Sequence, residues 1–130
     1  NAEDAEIVWQ AGLARCPTDE NNRFLFHKTT QRDVYDIAKA DWPSCQDVIL
    51  WNFKGHVMET GRGNVVIRKN GDLITPPVNQ GLLNGTFRRK LLQDNSIKEG
   101  VLDITTLKAA EAVYMINAVR GWVKLEILFT

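Results

Sequence analysis

The stretch that decides the fold joins a short apolar run to the start of a helical pattern, with one lysine between them. It reads Phe24-Leu25-Phe26-His27-Lys28-Thr29-Thr30-Gln31-Arg32-Asp33-Val34-Tyr35. A short apolar run is typical of a buried strand. Thr29 or Thr30 is the predicted N-cap of a helix that runs through about Lys39. The sequence therefore places Lys28 where a buried strand ends and a helix begins.

Lys28 has two interpretations at such a position. Desolvation lowers the pKa of a lysine, and the neutral amine is the form that attacks carbonyl groups. The alternative is an ordinary lysine whose apolar stem packs on the strand while its ammonium group reaches water. These twelve residues alone leave both interpretations open, and the rest of the chain has to decide between them.

Composition indicates one soluble globular domain, for which we expect a cytoplasmic location. The 130 residues are 44% hydrophobic and 25% charged, and 16 basic side chains balance 16 acidic ones. This balance provides no field that would attract nucleic acid or an anionic membrane. No apolar run reaches the length of about 20 residues that a membrane span needs. Cys16 and Cys45 form neither a disulfide framework nor a zinc-binding spacing.

Outside the deciding stretch, the pattern predicts a mixed, strand-rich α/β domain with three helices. Asn70-Gly71 is a strong signal for a two-residue hairpin turn. Val34, Tyr35, Ile37 and Ala38 are expected on one face of the first helix. The predicted strands are residues 7–9, 47–52, 55–59, 63–68, 73–75, 101–104, 112–117 and 123–128. The other two helices are predicted over residues 86–94 and, capped by Thr105 or Thr106, up to residue 110.

Two glycine-containing stretches are candidate binding elements. In Glu59-Thr60-Gly61-Arg62-Gly63-Asn64, two glycines let the backbone approach a ligand closely while Glu59 points at it; the alternative is a hairpin with solvated Glu59 and Arg62. Gly81-Leu82-Leu83-Asn84-Gly85 leads into a helix, whose free N–H groups bind phosphate well. The alternative there is a simple turn, because no phosphate-loop or dinucleotide fingerprint is present.

Several other features favour structural roles. His27 and His56 have no partner at metal-ligand spacing, so no metal site is predicted. Arg88-Arg89-Lys90 is expected to be a solvated helix face. The pattern Gly-x-Ser-x-Gly is absent, which disfavours a serine hydrolase.

Taken in order, four motifs resemble the fold-type IV pyridoxal phosphate enzymes. The motifs are His27-Lys28-Thr29-Thr30-x-Arg32-x-x-Tyr35, Glu59-Thr60-x-x-x-Asn64, Thr75-Pro76-Pro77-x-x-x-Gly81-Leu82-Leu83-x-Gly85-Thr86-x-Arg88 and Asn117-Ala118-Val119-Arg120-Gly121. That family includes branched-chain and D-amino acid aminotransferases and 4-amino-4-deoxychorismate lyases. The first motif and the Asn117-Ala118 pair are most similar to the lyases.

The resemblance implies a role for each of these positions. Lys28 would bind the aldehyde of pyridoxal 5'-phosphate and then transfer protons. Glu59 would keep the pyridine nitrogen protonated, and Asn64 would brace its turn. The phosphate would be bound by the N–H groups of Thr86 and Phe87 and by the Asn117-Ala118 turn. Tyr35, Arg62 and Arg120 would give weaker support near the substrate.

For the lyases, the implied reaction eliminates pyruvate from 4-amino-4-deoxychorismate and leaves 4-aminobenzoate, a folate precursor. The first alternative is a branched-chain or D-amino acid aminotransferase, and the second is a non-catalytic domain that keeps the fold. The implied fold is the cofactor-binding C-terminal lobe of the D-amino acid aminotransferase-like fold, over residues 24–130.

Family members carry a smaller N-terminal domain before the lysine, whereas only 27 residues precede Lys28 here. Residues 1–23 are therefore expected to be a lead-in or interdomain segment, and the chain is expected to be poorly active by itself. The implied partners are a small-molecule substrate, a second copy in a homodimer, and a missing N-terminal domain or a fused aminodeoxychorismate synthase component.

Overall fold

The computed structural model describes residues 1–19 and 28–130, and only the backbone of residues 28–31. Three α-helices are present in this part of the chain: α1 (Lys28–Ala40), α2 (Thr86–Gln93) and α3 (Ile104–Ala109). The strands are β1 (Val8–Leu13), β2 (Asp47–Trp51), β3 (Val57–Thr60), β4 (Asn64–Lys69), β5 (Asp72–Thr75), β6 (Lys98–Glu99), β7 (Ala112–Asn117) and β8 (Gly121–Leu128). Short 3-10 turns cover Ala2–Asp4 and Val78–Gln80. The predicted mixed, strand-rich α/β fold is confirmed.

The strands form one sheet in the order β3-β2-β1-β8-β7-β4-β5-β6. β1 is parallel to both β2 and β8, β5 is parallel to β6, and the other pairs are antiparallel. In a flat sheet β3 and β4 would lie about 24 Å apart, but the three residues 61–63 that connect them allow at most about 15 Å. The sheet is therefore strongly curled. At the closing turn the Thr60 N–H donates to the Gly63 carbonyl oxygen at 2.9 Å.

Alternate residues of the curled sheet face two different apolar clusters. Val65 and Ile67 of β4 pack inside the curl with residues of β1, β2, β7, β8 and helix α3. Between them in sequence, Val66 faces the opposite side and packs near Leu91 of helix α2. This alternation follows from the two-residue period of a strand. Helix α1 covers a third cluster, formed by residues of β2 and β3 with Trp42 and Cys45.

Most strand predictions are confirmed, including the hairpin at Asn70-Gly71, where both residues have positive φ angles of 53° and 82°. The predicted strand at residues 101–104 is wrong. Asp103 instead caps helix α3 by accepting the Thr106 N–H at 2.7 Å, so the predicted caps Thr105 and Thr106 lie within the helix. A side-chain carboxylate is a strong competitor for helix N–H groups, which explains the earlier start.

Helix α1 also departs from the prediction in two respects. It includes Lys28, so Thr29 and Thr30 lie inside the helix and are not its N-cap. Ile37 is 72% exposed, whereas Val34, Tyr35 and Ala38 pack against the sheet. At 100° per residue, Ile37 lies about 100° from the centre of that face. The predicted strand at residues 24–26 and His27 lie outside the described residues.

The predicted lead-in, residues 1–23, contains more of the sheet than the sequence indicated. Strand β1 lies between β2 and β8 and pairs with both of them. Residues 8–13 therefore belong to the same sheet as the later strands. No helix in the two described ranges, 1–19 and 28–130, is long and apolar enough to cross a membrane.

Candidate active site

A cavity of about 800 Å³ lies where the curled sheet closes, between helices α1 and α2. Its volume is typical of a small-molecule site, for which about 300–1,000 Å³ is usual. Most of its lining comes from helix α1, the β3–β4 turn, the start of helix α2 with the loop before it, and the β7–β8 turn with the end of β7. Leu50 of β2 also lines it. The lining residues whose side chains or backbone groups are described below are Arg32, Tyr35, Glu59, Thr60, Arg62, Asn64, Leu83, Gly85, Thr86, Phe87, Arg88, Asn117 and Ala118.

The Glu59 turn, residues 59–64, is held by a side chain of its own. The Thr60 hydroxyl donates to the Gly63 carbonyl oxygen at 3.1 Å. The Thr60 hydroxyl oxygen, Oγ1, accepts the N–H groups of Arg62 and Gly63 at 3.1 and 2.9 Å. Thr60 is 2% exposed, so water does not compete for these bonds. Thr60 was not predicted from the sequence to have a role, although a threonine close to two glycines is a common turn-stabilising residue.

The two glycines of the Glu59 turn permit close packing of the protein on itself. A Cβ atom at Gly61 would lie 1.5 Å from Cε1 of Tyr35, and one at Gly63 would lie 2.3 Å from the Ile116 carbonyl oxygen. These contacts are too short for any side chain. The two glycines were predicted to let a ligand approach the backbone, but in this structure they leave room for the Tyr35 ring and strand β7.

Asp47 anchors the same turn from β2. One carboxylate oxygen, Oδ1, accepts the N–H groups of Gly61 at 3.0 Å and Val48 at 2.8 Å. The other oxygen, Oδ2, is buried without a hydrogen-bond partner. Burial raises the pKa of the Asp47 carboxyl group. Asp47 was not singled out from the sequence, because an aspartate at the start of an apolar strand resembles an ordinary loop residue.

Tyr35 faces the cavity from helix α1, and its hydroxyl group is buried without a hydrogen-bond partner. Burial, and then the negative charge of Asp47, raise the pKa of the Tyr35 phenol. The phenol is therefore a neutral group at physiological pH, with a proton available for a ligand in the cavity.

Glu59 and Asn64, at the two ends of the Glu59 turn, hold one residue of the opposite wall. Glu59 is 4% exposed and its Oε1 accepts the Leu83 N–H at 3.0 Å. Asn64 Nδ2 donates to the Leu83 carbonyl oxygen at 2.8 Å. Asn64 therefore joins the Glu59 turn to the Leu83 loop, residues 81–85. Leu83 was missed in the sequence because it contributes only backbone groups.

Helix α2 begins at the cavity. Its N-cap is Gly85, which has no side chain to cap the first N–H groups. A Cβ atom at Gly85 would lie 2.6 Å from Oδ1 of Asn64, so the loop passes very close to the Glu59 turn. Thr86 and Phe87 follow and line the cavity. The first N–H groups of a helix have no partner within it and carry its partial positive charge, which favours an anion.

Arg88 is not part of a solvated face, as the sequence predicted, but is 2% exposed. It forms an ion pair with Glu99, and it donates from Nη1 to Asn84 Oδ1 at 2.8 Å and from Nη2 to the Pro76 carbonyl oxygen at 3.0 Å. The prediction failed because those partners lie four to twelve residues away in three different segments. Its neighbour Arg89 is exposed, as predicted.

The β7–β8 turn closes another side of the cavity. Asn117 and Ala118 line it. Asn117 Nδ2 donates to the Arg62 carbonyl oxygen at 3.1 Å, and its Oδ1 accepts the Arg120 N–H at 2.7 Å. Asn117 therefore shapes its own turn and ties it to the Glu59 turn.

The two arginines named as weak candidates, Arg62 and Arg120, both lie close to the ring of Trp9. The guanidinium carbons of Arg62 and Arg120 are 5.8 and 5.0 Å from the Trp9 ring centroid, within cation–π range. Arg62 also lines the cavity, whereas Arg120 lines a separate cavity near residues 1–5. The structure thus does not bring Arg120 to the predicted site.

Lys28 is the first residue of helix α1, and its side chain lies outside the described part of the structure. Arg32 and Tyr35, four and seven residues later, both line the cavity. His56 lies elsewhere, with Nδ1 2.8 Å from Gln80 Oε1, and so has a structural contact. Within residues 1–19 and 28–130, no group of three or more His, Cys, Asp or Glu side chains is placed to hold a metal ion.

The arrangement fits pyridoxal phosphate. A buried carboxylate, Glu59, suits a basic ring nitrogen, and the start of helix α2 suits a phosphate group. The uncapped N-cap Gly85 provides the close approach that such a group needs.

Comparison with known proteins agrees with this geometry. The family model for amino-transferase class IV matches residues 5–126. A Schizosaccharomyces pombe protein named "Putative aminodeoxychorismate lyase" is 39% identical over 108 residues, which are 78% of this chain and 47% of that protein. The "Aminodeoxychorismate lyase" of Saccharomyces cerevisiae is 30% identical over 141 residues, with 93% of this chain and 37% of that protein covered.

Among solved structures, a "Putative amino-acid aminotransferase" from Mesorhizobium loti superposes with a TM-score of 0.84 and 32% identity. The match covers 95% of this chain and 61% of that chain. This chain thus spans less than half the length of the two lyase relatives and about three-fifths of the solved structure.

Proposed function

This chain belongs to the amino-transferase class IV family, and we propose that it forms the cofactor-binding part of a pyridoxal phosphate-dependent 4-amino-4-deoxychorismate lyase. Enzymes of this family depend on pyridoxal phosphate. The observation that carries the proposal is the cavity in which the buried Glu59 carboxylate and the start of helix α2 meet. The proposed reaction releases pyruvate from 4-amino-4-deoxychorismate and leaves 4-aminobenzoate.

Bound pyridoxal phosphate supplies an aldehyde that condenses with amines and a ring that accepts electrons. In our proposal, the Glu59 carboxylate holds the proton on the ring nitrogen, and the Leu83 N–H keeps that carboxylate in place. The N–H groups of Thr86 and Phe87 donate to the phosphate oxygens. The Asn117-Ala118 turn closes the phosphate end of the cavity.

Lys28 is the proposed catalytic amine. Positions 28, 32 and 35 recur with the period of a helix, and Arg32 and Tyr35 line the cavity. Lys28 would hold the cofactor through its aldehyde. Once the amine of the substrate takes its place, the freed Lys28 amine would accept the proton that the substrate loses and return a proton as pyruvate departs. Arg32 and Arg62, both at the cavity, are the proposed cationic groups for a carboxylate of the substrate.

Two relatives named as lyases favour the lyase, and the solved aminotransferase structure favours the alternative, a branched-chain or D-amino acid aminotransferase. The two reactions are distinguished by their products. Purified protein with pyridoxal phosphate is incubated with 4-amino-4-deoxychorismate, and pyruvate and 4-aminobenzoate are measured together. Equal amounts of both products support the lyase. Keto-acid-dependent loss of amino groups from amino acids, without 4-aminobenzoate, supports the aminotransferase.

The organisation of the whole protein is also part of the proposal. We propose that residues 24–130 with strand β1 form the cofactor-binding lobe, and that a smaller N-terminal domain or a fused synthase component completes the substrate pocket. We further propose a homodimer in the cytoplasm. Sedimentation of the purified protein tests the dimer, since a monomer at micromolar concentration contradicts it.

A further inference from the structure

We propose that Arg88 is a positioning residue that sets the affinity of the site for the phosphate of its cofactor. This inference rests on the proposed function. It starts from the contacts of one side chain that is 2% exposed, lines the cavity and lies in the first turn of helix α2. The sequence motif that ends in Arg88 gives this residue no role of its own.

The Arg88 side chain contacts the Leu83 loop itself and the segments that precede and follow it in the chain. Nη1 donates to the side chain of Asn84, the residue directly before the N-cap Gly85. Nη2 donates to the carbonyl oxygen of Pro76, where the chain leaves β5. The ion pair with Glu99 adds a third anchor on β6. Because the planar guanidinium group has its donors in fixed directions, these three contacts define one position for the loop relative to the helix.

The position of that loop decides where the first N–H groups of helix α2 point. Gly85 has no side chain, so no side-chain cap restrains the entry of the chain into the helix, and the Gly85 N–H donates to the Leu83 carbonyl oxygen at 3.1 Å. The Asn84 contact is therefore a side-chain restraint directly next to the N-cap. The affinity of backbone N–H groups for an anion depends on their alignment, since a hydrogen bond weakens steeply as its angle departs from linear. Arg88 would act on the phosphate through this alignment.

The three contacts of Arg88 leave one of its side-chain nitrogens without a hydrogen bond. Its Nε is buried without a hydrogen-bond partner. Buried polar groups are nearly always satisfied, so an exception calls for an explanation. The geometry explains it, because the terminal nitrogens Nη1 and Nη2 reach three anchors in different segments and Nε is left without a partner.

A comparison of the affinities for two ligands distinguishes this role from a general contribution to folding. Pyridoxal phosphate uses both ends of the cavity, whereas pyridoxal lacks the phosphate and uses only the end near Glu59. Affinities for both are measured by absorption titration of the purified protein carrying this chain, for wild type, Arg88→Met and Arg88→Lys. Arg89→Met is the matched control, since Arg89 is the next residue of the same helix and is exposed.

We expect Arg88→Met to weaken pyridoxal phosphate binding by about tenfold or more and pyridoxal binding by less than about threefold. Arg88→Lys restores part of the loss, and Arg89→Met leaves both affinities unchanged. If Arg88→Met does not fold, Asn84→Ala removes one of the three contacts and shows the same selective loss at smaller size.

The opposite results are equally clear. Equal losses for the two ligands in Arg88→Met, or no loss in Arg88→Met or in Asn84→Ala, overturn the positioning role, while wild-type binding keeps the proposed function intact. A wild-type protein that binds neither ligand overturns the proposed function and this inference with it.

Discussion

The Glu59 turn and the Leu83 loop form opposite walls of one cavity, but they are held in place in different ways. The Glu59 turn is fixed from within by Thr60 and by close packing at its glycines, in addition to its bonds with Asp47 and Asn117. The Leu83 loop has few bonds of its own and is held from outside, by Glu59, Asn64 and Arg88. The loop is thus positioned by the turn, so damage to the turn should reach both walls.

The largest effect should come from Gly61→Ala. The added Cβ atom would lie 1.5 Å from the Tyr35 ring, which lies between helix α1 and the sheet. We expect the free energy of unfolding to fall by about 3 kcal/mol, because ring and backbone must both move. Gly85→Ala is the comparison in the Leu83 loop, where the added atom would meet only the end of the Asn64 side chain. About 1 kcal/mol is expected there, and equal losses in urea unfolding would remove the distinction between the two walls.

The next effect is on cofactor binding, from Glu59→Gln. The amide still offers an oxygen to the Leu83 N–H but no longer a negative charge to a protonated ring nitrogen. A charge-assisted hydrogen bond contributes about 1.5–3 kcal/mol, or about 10- to 150-fold in affinity. Pyridoxal phosphate and pyridoxal should be affected alike, unlike in Arg88→Met. Glu126→Gln, on the exposed side of β8, is the control. If Glu59→Gln lowers the affinity for pyridoxal phosphate but not for pyridoxal, Glu59 does not lie at the ring nitrogen and this prediction is wrong.

A smaller effect is expected from Asn64→Ala, which removes the hydrogen bond to the Leu83 carbonyl oxygen. The loss in unfolding free energy should be about 1 kcal/mol, the usual contribution of one such bond. Because Glu59 still holds the Leu83 N–H, Asn64→Ala combined with Glu59→Ala, which removes that second bond, should show that the two effects are coupled. Strict additivity in urea unfolding would mean that the two residues do not share one loop.

The smallest effect concerns pH. Burial raises the pKa of the Asp47 carboxyl group above its ordinary value near 4. The native state therefore holds this proton more tightly than the unfolded chain, so stability is greatest below the ordinary pKa and declines as pH rises through the raised one. Asp47→Asn keeps an oxygen for the Gly61 N–H but cannot ionise. The variant should lose less stability than wild type between pH 4 and 7 in urea unfolding; an identical decline would mean that Asp47 does not contribute to it.

The features that could be predicted from the sequence also differ between the two walls. The position of the Glu59 turn was predictable because its residues are consecutive in the sequence, as was the hairpin at Asn70-Gly71. The roles of Thr60 and of the two glycines in that turn were not predicted. Arg88 was misjudged, and Asp47 and Leu83 were missed, because their partners lie in other segments. Spacing in a sequence reports local geometry, whereas burial of a charged side chain depends on contacts that only the folded chain brings together.

The most direct test of the proposed site is covalent trapping of pyridoxal phosphate on Lys28. The protein is incubated with pyridoxal phosphate, scanned in the visible range, reduced with borohydride and mapped by peptide mass. We predict a yellow protein with the reduced adduct on Lys28 and none on Lys39, the control lysine of the same helix. No adduct, or an adduct spread over exposed lysines, would contradict a cofactor site in this cavity.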